Sequence, residues 1–214
     1  MSCPRNRWDR IKYFAVQMLV KVFVLLVQKY MFKKIENSVR FFFGLITCIL
    51  LRLVQPFPNV EPIMATMMPF AGKFGKVSGF LFASVSLVSF DFISGRLGMW
   101  TVYTGIAYGL VGIAASVFLG GIRNVSRRHF VAFAFFGTIF YDAVTAFFFG
   151  LQFHQPLLMT AVAQVPFTLY HLAGNLVFAA AVSPLIQKHI VENKSLALSA
   201  LVSTEPLPVS KTKQ

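Results

Sequence analysis

From residue 40 onward the chain alternates long apolar runs with short polar breaks such as GKFGK at 72–76 and RNVSRRH at 123–129. The apolar runs cover roughly 40–56, 60–73, 77–94, 99–120, 129–151 and 157–187. A helix rises about 1.5 Å per residue, so about 20 apolar residues cross a hydrocarbon core of about 30 Å. The pattern therefore predicts an all-α polytopic membrane protein with six spans. The second run is short. The last is long and holds Pro166 and Pro184, which favours a kink or a tilt there.

The two ends of the chain read differently. Residues 11–32, IKYFAVQMLVKVFVLLVQKYMF, are apolar but interrupted, and Arg10, Gln17, Lys21 and Gln28 recur at spacings that place them on one helical face. A crossing would strand Arg5, Arg7, Arg10 and Lys12 on the far side, so the pattern predicts a basic amphipathic helix lying in the cytoplasmic interface. A docking helix for a partner fits the same stripe. Residues 193–214 lose the apolar period and gain Ser, Pro and Lys, as expected of a mobile cytoplasmic tail. The organisation is thus a basic N-terminal segment (1–38), a membrane domain (39–192) and a tail (193–214).

Composition sharpens this picture. Hydrophobic residues make up 57% of the chain and charged residues 13%, about half the roughly 25% of a soluble domain. The formal net charge is +13. In a soluble protein that excess points to nucleic acid, but here the aromatic residues are mostly Phe within the spans, with no basic patch interleaved with stacking rings. The charge instead reads as topology. Lys29, Lys33, Lys34 and Arg40 precede the first span, Lys73 and Lys76 follow the second, Arg123, Arg127 and Arg128 follow the fourth, and Lys188 and Lys194 follow the sixth. Only Arg52 and Arg96 fall on the opposite side. The positive-inside bias predicts a cell-membrane protein with both termini cytoplasmic, and it needs the short second run to cross. Cys3 and Cys48 offer no evident disulfide or metal spacing, and the N-terminus lacks the pattern of a cleaved signal peptide.

Three isolated acids stand at or within these runs: Glu61 in FPNVEPIM, Asp91 in VSFDFISG and Asp142 in FYDAVTAFFFG. Ionisable residues in a membrane segment face a partner or a cavity. Their neighbours follow helical spacing. Thr101, Thr104 and Tyr108 share one face of the fourth run. Thr138, Tyr141, Asp142 and Thr145 share one of the fifth, and Gln164, Thr168, His171 and Asn175 one of the sixth. Most of these lie toward the outer end, where Asn59, Arg96, Trp100, His154 and Gln155 occupy the loops. The arrangement predicts a solute-sized polar cavity opening outward, with Trp100, Tyr108, Tyr141 and Tyr170 available to stack a flat ring. A single polar stripe is more often interhelical hydrogen bonding, which leaves a structural or assembly protein as the alternative. Gly105, Gly109 and Gly112 read as a close-packing face. Catalytic signatures are weak: FISG at 92–95 matches only part of an intramembrane serine protease motif, and neither HExxH nor a Walker A loop occurs. The chain is therefore expected not to be an enzyme and to need no cofactor.

The run from FPNVEPIMATMMPFAGKFGK through VSFDFISGRLGMWTVYTGIAYGLVG, with FGTIFYDAVTAFFFG and QVPFTLYHLAGNLVFAAAVSPLI, resembles the substrate-binding S component of energy-coupling factor (ECF) vitamin transporters, closest to the riboflavin-type group. The similarity covers roughly residues 40–190. It implies capture of a vitamin or related micronutrient, and partnership with a transmembrane coupling protein and two ATPase subunits. Carried onto this chain, the substrate-binding positions are Asn59, Glu61, Trp100, Thr104, Tyr108, Tyr141, Asp142, Gln164 and His171, to which the isolated Asp91 is added from the residues themselves. The family's alanines four apart on the first span, where the coupling protein docks, are replaced here by Gly44 and Cys48 in RFFFGLITCILL.

Overall fold

The computed structural model describes residues 35–54 and 61–193. Asn59, the 11–32 helix and the tail from 194 onward lie outside these residues. Among the described residues six α-helices follow one another: α1 Ile35–Val54, α2 Ile63–Phe74, α3 Lys76–Ile93, α4 Met99–Gly120, α5 Arg127–Gln152 and α6 Leu157–Ile186, the last continued by a π-helical turn, Gln187–Val191. No strand occurs among the described residues.

Four of these helices, α3, α4, α5 and α6 with its π turn, are long and apolar enough to cross a membrane. The other two expected spans differ for a physical reason. In α1, Arg40 and Arg52 confine the charge-free stretch to 41–51, about 16 Å of helix. α2 has 12 residues, about 18 Å, well short of a hydrocarbon core. α2 is instead the centre of the bundle. Every residue from Ile63 to Ala71 is buried, so this helix is apolar on all sides because it has neighbours on all sides.

Successive helices alternate in direction. α3 and α4 run antiparallel, with the Ser84 hydroxyl donating to the Gly105 carbonyl at 2.8 Å and Thr101 meeting Asp91 at 2.7 Å. In the first turn of α3, Gly79 faces Gly112 so closely that a Cβ on Gly112 would lie 2.2 Å from the Gly79 carbonyl oxygen. Glycine is required at this crossing by the approach of two backbones. Gly109 seats the Phe80 ring in the same seam, whereas a Cβ at Gly105 would find its nearest atom at 3.7 Å. α5 pairs with α4 through Tyr108–Tyr141 and Phe118–Phe133, and with α6 through Asp142–His171 and Thr138–Asn175. α1 is tied at its start by Arg40, which donates to the Val191 carbonyl at 3.1 Å.

The two ends of the bundle differ in charge. One gathers Arg40, Lys73, Lys76, Arg123, Arg127, Arg128 and Lys188 with Glu192. The other gathers Arg52, Glu61, Asp91 and Arg96, rimmed by Trp100, Tyr103, Phe148, Phe149 and Phe153 in mutual ring contact. Gly44 and Cys48 do not lie on the outside of α1. Gly44 abuts the Phe70 ring and Cys48 is buried, so both serve the α1–α2 seam. The outward face of α1 is Phe42, Phe43, Ile46, Leu50 and Leu53.

Candidate functional site

A chain of polar side chains runs inward from the acid-bearing end and links five helices or their termini. It starts at Arg52, two residues before the end of α1, whose guanidinium lies over the Phe90 ring at 4.1 Å and pairs with Glu61 at 2.8 Å. Glu61 precedes α2, and its other oxygen accepts the Tyr108 phenol at 2.9 Å. The Tyr108 oxygen also lies 3.4 Å from His171 Nε2. On the far side of the ring, His171 Nδ1 meets Asp142 Oδ1 at 2.7 Å. Tyr141 packs on this assembly, its ring 4.0 Å from that of Tyr108 and 5.7 Å from that of His171.

Local sequence explains the convergence. Tyr108 lies one 3.6-residue period past Thr104 and two past Thr101, so all three project to one face of α4, and all three are buried. Thr138 and Asp142 are four residues apart on α5, as are His171 and Asn175 on α6. The two pairs form parallel rungs: Asp142 to His171, and Thr138 accepting the Asn175 amide N–H at 2.9 Å. Asp142 and His171 are about as buried as the apolar core, at 1% and 2% exposure. An isolated charge at such depth costs roughly 2.5–3.5 kcal/mol, and pairing offsets that cost. Two acceptors in the assembly have no hydrogen-bond partner: Asp142 Oδ2 and Asn175 Oδ1.

The expected site residues divide accordingly. Glu61, Tyr108, Tyr141, Asp142 and His171 come together. Thr104 is one turn from Tyr108 and gives its hydroxyl proton to the Trp100 carbonyl. Asp91 stands apart from this chain, closing the α3–α4 turn by accepting the Thr101 hydroxyl. Trp100 is 43% exposed and belongs to the aromatic rim. Tyr170, expected to stack a ring, is 69% exposed and lies outside the assembly.

Gln164 is separated from His171 by the geometry of α2. Because α2 is short, the first half of α6 packs mainly on α5, and its turns from Leu157 to Tyr170 are largely exposed. Gln164 and Thr168 consequently line a mostly apolar groove of about 450 Å³ along the α5–α6 seam, together with Ile139, Ala143 and Phe147. A second cleft of about 400 Å³ lies at the opposite, basic end, between Lys73, Arg123, Asn124, Gln187 and Glu192. Neither of these clefts is lined by Glu61, Tyr108, Asp142 or His171, in contrast to the outward-opening cavity expected from the stripes.

Arg52 is the member that reading the stripes missed. Its signal was present: a lone Arg in the apolar LLRLV, nine residues before a lone Glu, with two prolines between them in the sequence. Among the described residues no cluster of three His, Cys, Asp or Glu side chains is placed to hold a metal ion.

No protein-family model, curated protein or solved structure matches this chain.

Proposed function

We propose that this protein is the solute-capturing membrane subunit of an ECF-type transporter, taking a vitamin or related micronutrient from outside for uptake driven by partner ATPases. One observation carries the reading: a buried, charged side-chain assembly near one end of an apolar bundle, with two acceptors left without partners. A bundle needing only cohesion does not need an acid at this depth, since apolar packing of the same volume is commonly as stable or more so. In this reading α1 and α2 cross as a tightly paired hairpin, giving six passes. The acid-bearing end faces outward, and both termini and the basic end face the cytoplasm. The solute would enter from the Arg52–Glu61 side and meet Tyr108, Tyr141, Asp142 and His171. The chain would work with a coupling protein and two ATPase subunits, since it has no nucleotide-binding loop of its own.

A second reading is favoured by the network's near closure. Most of its hydrogen bonds are made within it, as in interhelical adhesion in a structural or assembly protein. The two readings separate on purification. Extraction in mild detergent followed by mass spectrometry of the denatured protein is expected to release a stoichiometric small molecule. A vitamin panel should then contain a compound that raises the melting temperature. If no molecule copurifies and none of the panel stabilises the protein, the transport reading gives way to the structural one.

A further inference from the structure

The hydrogen bonds fix a proton count for the buried assembly. Glu61 faces the Arg52 guanidinium at 2.8 Å and is therefore an ionised acceptor. Tyr108 has one proton and two neighbours, Glu61 Oε2 at 2.9 Å and His171 Nε2 at 3.4 Å. The nearer and negatively charged oxygen takes that proton, so the phenol presents a lone pair toward the ring. His171 Nε2 must then carry a hydrogen. At 2.7 Å, Nδ1 and Asp142 Oδ1 also have a hydrogen between them. Whether it sits on nitrogen or oxygen, the total is the same: the pair holds one proton more than a neutral imidazole beside a carboxylate, and its net charge is zero.

Around the His171–Asp142 pair the vacant positions are both acceptors, while the one vacant donor of the assembly, Arg52 Nη1, lies at its outer end beside Glu61. Thr138 gives its hydroxyl proton to the Ala134 carbonyl at 2.7 Å, so its oxygen receives the Asn175 amide N–H. That fixes the Asn175 amide with Oδ1 as a free acceptor, one helical turn from His171. Asp142 Oδ2 is the other. An anionic group finds no donor at either atom. The ionisable groups around the assembly are Cys48 and Arg52 from α1, Glu61 before α2, Asp91 from α3, Tyr108 from α4, Tyr141 and Asp142 from α5 and His171 from α6. Arg52 cancels Glu61, and His171 with its extra proton cancels Asp142, while Asp91 stands apart at the α3–α4 turn, where it accepts the Thr101 hydroxyl. A cation added to this balance leaves an uncompensated positive charge in low dielectric unless a proton departs.

We propose that the His171–Asp142 pair carries one exchangeable proton, and that a cationic, hydrogen-bond-donating group of the solute, an ammonium or amidinium, displaces it on binding beside Asp142 Oδ2 and Asn175 Oδ1. This rests on the solute-capture reading and names the chemical class of its ligand. The exchange is balanced: one cation enters, one proton leaves to bulk water, and no other bond changes.

The test uses the full chain in detergent micelles and four ring probes differing in one group: benzamidinium, benzylammonium, benzamide and benzoate. Calorimetry at one pH in two buffers of different ionisation enthalpy counts protons. The two cations are expected to bind with release of about one proton each, and with affinity rising about tenfold per pH unit until the pair is deprotonated. In Asp142→Asn, which cannot hold the shared proton, any remaining cation binding should occur without that release. A preference for benzoate, or cation binding with no proton released by the wild-type chain, overturns the proposal. So does failure of all four probes to bind. A second arm needs no ligand: infrared difference spectra across a pH titration should show one protonation change that is absent from Asp142→Asn, and absence of that change in wild type overturns the shared proton. Solute capture itself is decided separately by the copurified molecule, so the two failures are distinguishable.

Discussion

Asp142 is surrounded by groups that each use it differently. One oxygen is committed to His171 at 2.7 Å and the other is free. Asp142→Asn preserves shape and removes the charge, and it turns one acceptor into a donor aimed at the ring. If a solute contacts this carboxyl, the substitution weakens binding at least about tenfold, or about 1.4 kcal/mol, while the protein still inserts and purifies as one species. Unchanged affinity would remove Asp142 from the site, and loss of the folded protein would favour interhelical adhesion. Arg52 and Glu61 make a different case, since both side chains are partly exposed, at 13% and 22%. Solvent screening reduces the worth of such a pair, so chemical denaturation of Arg52→Met, Glu61→Gln and the double variant should give a coupling of only about 1 kcal/mol. The single Arg52→Met is expected to be the worst of the three, because it leaves Glu61 ionised with only the Tyr108 hydroxyl beside it. A double variant less stable than either single would contradict this.

Among the elements, the α3–α4 seam carries the sharpest steric demand. Gly112→Ala would place a methyl against the Gly79 carbonyl, and two backbones cannot retreat as a side-chain tip can. The expected cost is about 1–3 kcal/mol, read from thermal unfolding in detergent, while Gly105→Ala in the same helix should be close to neutral. Equal effects at the two positions would rule out the close crossing. The Gly105, Gly109 and Gly112 series was visible as a packing face in the sequence, but its strict member was not, since spacing alone does not say which glycine meets a backbone. Helix positions were legible for the same reason that membrane helices usually are: long apolar runs leave few alternatives. Depth was not. The 60–73 run looked like a poor span because it is short, and it is short because it forms the middle of the bundle. That one fact also explains Gln164. The 164, 168, 171 and 175 stripe is continuous along α6, but α2 covers only its lower half, so one helical face meets a polar core at His171 and an open seam at Gln164. Arg52 was hidden differently, since its partner precedes the next helix and helical periodicity cannot connect two helices.

At the scale of the whole molecule, the charges divide the bundle into a basic and an acid-bearing end, and orientation decides what the buried assembly can meet. The positive-inside tendency acts on Lys and Arg in short loops and at the helix ends beside them, and the 121–126 connection and Gly75, flanked by Lys73 and Lys76, both qualify. The basic end is therefore expected in the cytoplasm and the Arg52–Glu61 end outside. Replacing Cys3 and Cys48 gives a background without thiols. Asn124 and Arg96 are both exposed, at opposite ends, so neither reporter disturbs the core. In intact cells an impermeant maleimide should label Arg96→Cys and leave Asn124→Cys unlabelled until the membrane is permeabilised. The reverse pattern would place Glu61, Tyr108 and Asp142 nearer the cytoplasmic surface, where capture from outside is impossible and a cytoplasmic ligand becomes the only solute the assembly could take. Labelling of both from outside would show that the connection between them does not cross. Because α4 alone separates these two positions, that outcome would remove the span with the highest mean hydropathy, 1.8, which is the hardest of the four to keep out of a bilayer. The experiment thus tests orientation against the strongest physical expectation in the chain.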